Sequence, residues 1–123
     1  MWYVLWLDDY RPVSPEWLAQ LGANVADVVI AKNYDEFRAV INGFGCPWAI
    51  SFDHDLADAP YADDFSTEKT GMDCAKWLGE QVLDSILKLP DNFVFRVHSM
   101  NPDGAENIRR YMHNLVSHVR RAK

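Results

Sequence analysis

Three apolar runs along the chain each stop abruptly at titratable residues. Trp2 to Leu7 meets Asp8-Asp9, Ala49 to Phe52 meets Asp53-His54-Asp55, and Phe93 to Val97, broken only by Arg96, meets His98-Ser99. Short apolar runs bounded by polar loops predict strands covered on both faces, and Val25 to Ala31 predicts a fourth strand, second in chain order. Helical signals fill the intervals. Ser14 caps a helix with Pro15 at its first position, Trp17, Leu18 and Leu21 on one face, and Gly22 as its stop. Asn33 with Glu36 resembles a capping box, and Tyr34, Phe37, Val40, Ile41 and Phe44 form a stripe at helical spacing. Thr70-Gly71 opens a third helix with Cys74, Leu78, Val82 and Ile86 four apart, Trp77 beside them, and Pro90 ending it. Asn101-Pro102 opens the last helix, whose Ile108, Met112, Leu115 and Val119 are expected to face the sheet.

Strand and helix thus alternate four times, which implies right-handed crossovers and a mostly parallel sheet. The prediction is an α/β three-layer sandwich of flavodoxin-like layout, truncated to four parallel strands in the order 2-1-3-4. Ligand sites in such sheets lie beyond the carboxyl ends of the strands, at the switch point where connections leave in opposite directions. Here that point falls between strands one and three. Asp8, Asp9, Asp53, His54, Asp55, His98 and Ser99 are expected along that rim.

At 123 residues the chain fits a single domain, able to bury about two thirds of the surface it would expose unfolded. Its 49% hydrophobic content is that of a packed core. The net charge of −6 argues against bulk DNA binding and against adhesion to anionic membrane, but leaves room for a nucleotide. Charge is uneven: Asp53 to Asp73 holds seven acidic residues against Lys69 alone, whereas Arg109, Arg110, Arg120, Arg121 and Lys123 crowd the last fifteen positions. Cys46 and Cys74 are isolated, with neither zinc-ligand spacing nor a disulfide framework, so a reducing cytoplasm is expected. The apolar start meets Asp8-Asp9 without a basic leader, which predicts a first strand and not a signal peptide, and no run is long enough to span a membrane. The segment from Leu56 to Lys69 is the longest irregular stretch, expected to be a lid or binding loop, with Tyr61 and Phe65 as candidates for stacking on a base.

Carboxylates converging at strand ends repel one another unless a cation sits among them. Oxygen ligands without thiols favour a hard divalent ion, Mg²⁺ or Mn²⁺, on Asp8, Asp9, Asp53 and Asp55. Asp8 and Asp9 are equally suited to capping loops. His54 and His98, ending adjacent strands, could flank a phosphate from two sides, one taking a proton and the other giving one, because imidazole titrates near neutral pH. Ser99 and the backbone before the last helix offer donors for a phosphate oxygen, and Asn101 either caps that helix or joins them. Arg11, Lys69 and Thr70 are further candidates for contact with substrate, Lys69-Thr70 being also what a helix start needs.

Leu7-Asp8-Asp9-Tyr10-Arg11-Pro12, Ile50-Ser51-Phe52-Asp53-His54-Asp55-Leu56, Thr70-Gly71-Met72-Asp73 and Val97-His98-Ser99-Met100-Asn101-Pro102 together resemble the receiver-like domains proposed to process cyclic phosphates. The resemblance implies a receiver-like fold, with Asp8 and Asp9 as the acidic pair that holds Mg²⁺, Asp53 at the phospho-accepting position, and His54 and His98 as what this variant of the receiver adds. The fifth strand of ordinary receivers, with its lysine, is missing, which speaks against a phosphorylation switch. Three readings stand: a metal-dependent phosphoesterase acting on a cyclic nucleotide or a 2′,3′-cyclic phosphate at an RNA 3′ end, with His54, His98, Asp53 and Ser99 in catalysis; a non-catalytic module that binds a nucleotide or a protein partner; or a phospho-accepting switch, which needs a basic residue such as Lys69 near Asp53.

Overall fold

The computed structural model describes residues 2–56 and 69–122. Four strands, β1 (Val4–Leu7), β2 (Val28–Ala31), β3 (Ala49–Phe52) and β4 (Val94–Val97), form one parallel sheet in the order β2-β1-β3-β4. The expected order and direction are therefore correct. Four helices alternate with them: α1 (Pro15–Leu21), α2 (Tyr34–Phe44), α3 (Gly71–Leu83) and α4 (Pro102–Arg121).

Helix boundaries follow local chemistry. Ser14 accepts the Trp17 N–H at 3.2 Å, Pro15 occupies the first turn of α1, and Gly22 closes the helix with φ of 69°, a left-handed conformation that costs glycine little. Asn33 accepts the Glu36 N–H as expected, but the Glu36 carboxylate reaches the Lys32 N–H instead of completing the box at Asn33. Thr70 and Asp73 form a full reciprocal box at the start of α3.

Three expectations are corrected. Val25–Asp27 is a 3₁₀ turn, not the start of β2. Helix α3 ends at Leu83, well before Pro90, where Ser85 adopts φ of 61° and reverses the chain; Ile86 consequently points into solvent and leaves the apolar stripe. Phe44, at the last turn of α2, is likewise exposed, its ring meeting Tyr3 edge-on at 5.9 Å and not being enclosed in the core. The long loop expected between Leu56 and Lys69, with Tyr61 and Phe65, lies outside the described residues.

The two sheet faces are covered unequally. Tyr3, Leu5, Leu7, Ile50 and Phe52 pack with Phe37 and Ile41 of α2, Cys74 and Leu78 of α3, and Ile108 and Met112 of α4 in the main core. The opposite face carries Val4, Trp6 and Ala49 against Trp17 and Leu18 of α1. Gly71 brings α3 close to the end of β3: its N–H donates to the His54 carbonyl at 2.8 Å, and a Cβ there would collide with the Asp53 carbonyl. Replacing Gly71→Ala should therefore push α3 off the strand and cost about 1–3 kcal/mol, the usual range for overpacking. Urea unfolding measures it; an unchanged midpoint would mean that α3 is free to shift.

Candidate functional site: a buried carboxylate pair at the strand ends

Register assembles the site. Leu7, Phe52 and Val97 are the last paired residues of β1, β3 and β4, with Leu7 opposite Phe52 and Phe52 opposite Val97. The next residue of each strand is then Asp8, Asp53 and His98, and the ladder bonds continue through them: the Asp53 N–H donates to the Leu7 carbonyl at 3.0 Å and the His98 N–H to the Phe52 carbonyl at 2.9 Å. Side chains alternate along a strand, so all three share the face of Trp6, Ser51 and Arg96. Asp8, Asp53 and His98 offer ligand atoms within 4.8 Å of one another.

Asp8 is 1% exposed and held from every side. Its Oδ1 accepts the N–H groups of Tyr10 at 3.0 Å and Arg11 at 2.9 Å, and its Oδ2 lies 2.8 Å from His98 Nε2. Burial pushes its pKa up, but these hydrogen bonds outweigh burial and hold the carboxyl below its ordinary value. Asp53, 4% exposed, has less support, with a backbone hydrogen bond from His54 favouring its ionised form. Burial first and the neighbouring Asp8 charge second raise its pKa, with Arg11 only partly offsetting them. Among the described residues, no ion pair engages Asp53.

His98 is locked in place. Its ring stacks on Trp6 with centroids 4.0 Å apart and planes 5° from parallel, while Nδ1 meets Ser51 Oγ at 2.7 Å. Burial lowers its pKa, more than Asp8 raises it, so the ring is neutral near pH 7. A proton on Nε2, donated to Asp8, leaves Nδ1 to accept from the Ser51 hydroxyl. Both ring nitrogens are thus engaged within the protein, unlike the open imidazole that a proton-transfer role on substrate was expected to need.

His54 lies on the other face. It follows Asp53 by one residue and therefore turns towards α3 and α4, so the two histidines do not confront one another across a common space. Its Nδ1 is 2.8 Å from Asp55 Oδ1 and 3.5 Å from Asn101 Nδ2. Because Asn101 Oδ1 accepts the Gly104 N–H at 2.9 Å, the amide orientation is fixed with its nitrogen towards His54. The shorter, charged contact prevails: Nδ1–H donates to Asp55, and Nε2 keeps its lone pair. The ring rests on the bare Cα of Gly104, where a Cβ would collide with the imidazole.

A depression of about 300 Å³ opens beside these groups, lined by Asp9, Tyr10, Arg11, Asp53, Asp55, Leu56 and Met100. Among the described residues, Asp9 Oδ1 is buried with no hydrogen-bond partner. Arg11 reaches over from the same loop and donates to the His98 carbonyl at 3.0 Å. A larger hollow of about 500 Å³, near Ile86 and His118, has no carboxylate in its lining. Buried carboxylates on hard oxygen, one of them unpaired, fit a divalent cation.

Other expected residues have local duties. Ser99 Oγ accepts the Asn101 N–H at 3.1 Å, Asn101 caps α4, Thr70 caps α3, and Lys69 leans over the Tyr34 ring, 5.7 Å from its centroid. Asp55 stands apart from the Asp8–Asp53–His98 trio and is spent on His54. Sequence reasoning gave Trp6, Ser51 and Gly104 no part in the site. Trp6 and Ser51 were signalled by their places two residues before Asp8 and Asp53, whereas Gly104 had no signal without the fold. Burial pushes the Cys46 thiol up to about 12 and raises that of Cys74 further, away from the thiolate form that attacks.

No helix among the described residues is long and apolar enough to cross a membrane. Comparison with curated proteins and with solved structures returns no match. The model of one family, the cyclic-phosphate processing receiver domain, matches residues 3–114 and so takes in β1 to β4, both histidines and all the rim carboxylates. With that match spanning nearly the whole sequence and the receiver order of strands in place, the chain belongs to the cyclic-phosphate processing receiver domain family.

Proposed function

We propose that the protein is a metal-dependent phosphoesterase that hydrolyses a cyclic phosphate on a nucleotide or at an RNA 3′ end. The observation that carries this reading is the unpaired Asp53 carboxylate buried beside Asp8. A phosphate would be repelled by that pair as it stands, with Arg11 as the nearby cation, and a carboxylate pair of this kind is how proteins retain a divalent ion for a phosphate to approach.

Asp8 and Asp53 would hold Mg²⁺ or Mn²⁺, with Asp9 supplying its unpartnered oxygen. The ion, when bound, neutralises phosphate charge and the charge that develops on the departing oxygen. His98 and Ser51 orient Asp8, and Trp6 keeps the imidazole from turning. Arg11 faces the depression with a planar guanidinium suited to phosphate oxygens. His54 does not line the depression, so its proposed part as proton acceptor requires the phosphate to stand at the open top of the rim above Asp53; there Asp55, which lines the depression and fixes the His54 tautomer, would leave Nε2 to take a proton from the water that attacks phosphorus. A new P–O bond forms, a ring P–O bond breaks, and the departing ring oxygen takes a proton from solvent at the open rim. This reading moves the acid/base work onto His54 alone and gives His98 a positioning role.

A panel of cyclic mononucleotides, cyclic dinucleotides and 2′,3′-cyclic-phosphate RNA, each with and without Mg²⁺ or Mn²⁺, tests the reading directly. Turnover of one class only when metal is present supports it; binding without turnover would favour a nucleotide-binding module.

Substituting His54→Ala should lower turnover by about 10²-fold or more, the range for losing a general base. Gly104→Ala should lower it in the same direction by displacing the ring, while metal affinity measured by calorimetry stays at the native value. Native turnover in both variants would remove His54 from the chemistry.

Asp53→Asn should act on stability in the opposite sense. A carboxyl whose folded pKa is raised contributes most stability at low pH and loses it as pH rises through that value, so at neutral pH the ionised Asp53 destabilises the metal-free fold. Neutralising it should raise the melting temperature of the metal-free protein by about 3–5 °C, equivalent to roughly 1 kcal/mol, and should abolish the stabilisation that added Mg²⁺ or Mn²⁺ gives the native chain. The same competition between proton and cation should weaken metal binding as pH falls. A variant less stable than the native chain, yet still stabilised by metal, would contradict the assignment.

A further inference from the structure

Among the described residues, the two most exposed large hydrophobic side chains are Met100, at 80%, and Tyr10, at 77%. Both line the same depression as Asp53 and Arg11. Scattered apolar residues on a surface are ordinary, but here the two extremes flank one acidic hollow. Their backbones are also pinned: the Tyr10 N–H is held by Asp8 Oδ1, and Met100 sits between Ser99 and the α4 cap Asn101, whose own N–H is held by Ser99 Oγ. Neither side chain is therefore exposed because its loop is unanchored.

A ligand that fits must combine two chemistries. One end is anionic, to meet Arg11 and a cation held by Asp8 and Asp53; the other is flat and apolar, to cover an aromatic ring on one side and a flexible thioether on the other. A depression of about 300 Å³ lies at the lower end of ligand-site sizes, room for one nucleotide and not for a large cofactor. We infer that Tyr10 and Met100 form a nucleobase subsite, with the base stacked on the Tyr10 ring and capped by Met100, so that the substrate is recognised through its terminal nucleoside as well as its phosphate. The inference deepens the phosphoesterase reading and rests on it for the orientation of the phosphate. Stacking tolerates every base, since each has a π-face, so the subsite selects for nucleotides over plain sugar phosphates with little preference among bases. Arg11 lies near the Tyr10 ring, 5.9 Å from guanidinium carbon to centroid, and links the base wall to the phosphate end.

The test is equilibrium binding in the presence of Mn²⁺, using three probes: adenosine 2′,3′-cyclic phosphate, adenosine 5′-monophosphate and base-free ribose 2′,3′-cyclic phosphate. The native protein should bind both adenosine probes at least about tenfold more tightly than the base-free one, as loss of a stacked base would require. The Tyr10→Ala/Met100→Ala double variant should lose that preference and bind all three alike, with Mn²⁺ affinity and melting temperature unchanged, because both side chains are exposed. A Tyr10→Phe variant should keep the preference. Equal binding of the three probes by the native protein overturns the subsite, as does a double variant that keeps the preference. Nucleotide binding without any hydrolysis would remove the phosphoesterase reading and leave the subsite standing. Failure of all three probes to bind overturns both.

Discussion

Asp8 and Asp53 are neighbours because β1 and β3 are parallel and in register, and that constraint sets the electrostatics of everything around them. Two carboxyl groups buried at adjacent strand ends cannot both ionise without help. The fold supplies help unequally: two backbone N–H groups and a histidine for Asp8, and little for Asp53. The imbalance is what makes the site chemically directed. Asp8 is committed to its charge and its position, while Asp53 keeps a carboxylate open to whatever positive group arrives. Trp6, Ser51 and His98 are then best understood as the scaffold of Asp8, one stacked unit in which each partner restricts the next.

The other half of the site depends on two close approaches that only glycine permits. Gly71 lets α3 come up against the backbone of Asp53 and His54, and Gly104 lets the His54 ring lie on the first turn of α4. A helix capping box at Thr70 and an asparagine cap at Asn101 hold those turns in place. Fold and site are therefore not separable here. The residues that end strands and start helices are the same ones that fix the angle of an imidazole and the exposure of a carboxylate.

Much of this was legible in the sequence. Strand order, helix starts and the rim on which the acids and histidines gather followed from apolar runs, caps and the rule for open α/β sheets. What was misjudged is instructive. Leu7, Phe52 and Val97 each end an apolar run, and aligning them places Asp8, Asp53 and His98 in one row; the period of two then puts His54 on the opposite face. The expectation that both histidines face one phosphate leaves that parity out. The burial of His98 was not readable, because it depends on the Trp6 ring and the Ser51 hydroxyl meeting it across two strands. Nor could Ile86 be placed correctly, since its spacing continued the helical stripe while Ser85 turned the chain out of it. Tyr10 carries no sequence signal of its own, because its exposure beside Met100 arises only when the loop after β1 and the turn before α4 meet.

The central claim is that Asp8 and Asp53 exist as a pair to hold a divalent cation. Anomalous diffraction from crystals grown with Mn²⁺ addresses it most directly. The account predicts a single strong peak between the two carboxylates, about 2.0–2.3 Å from an oxygen of each, with His98 still stacked on Trp6 and hydrogen-bonded to Asp8. No peak at that position, with the Arg11 guanidinium turned inward to pair with Asp53 instead, would contradict it.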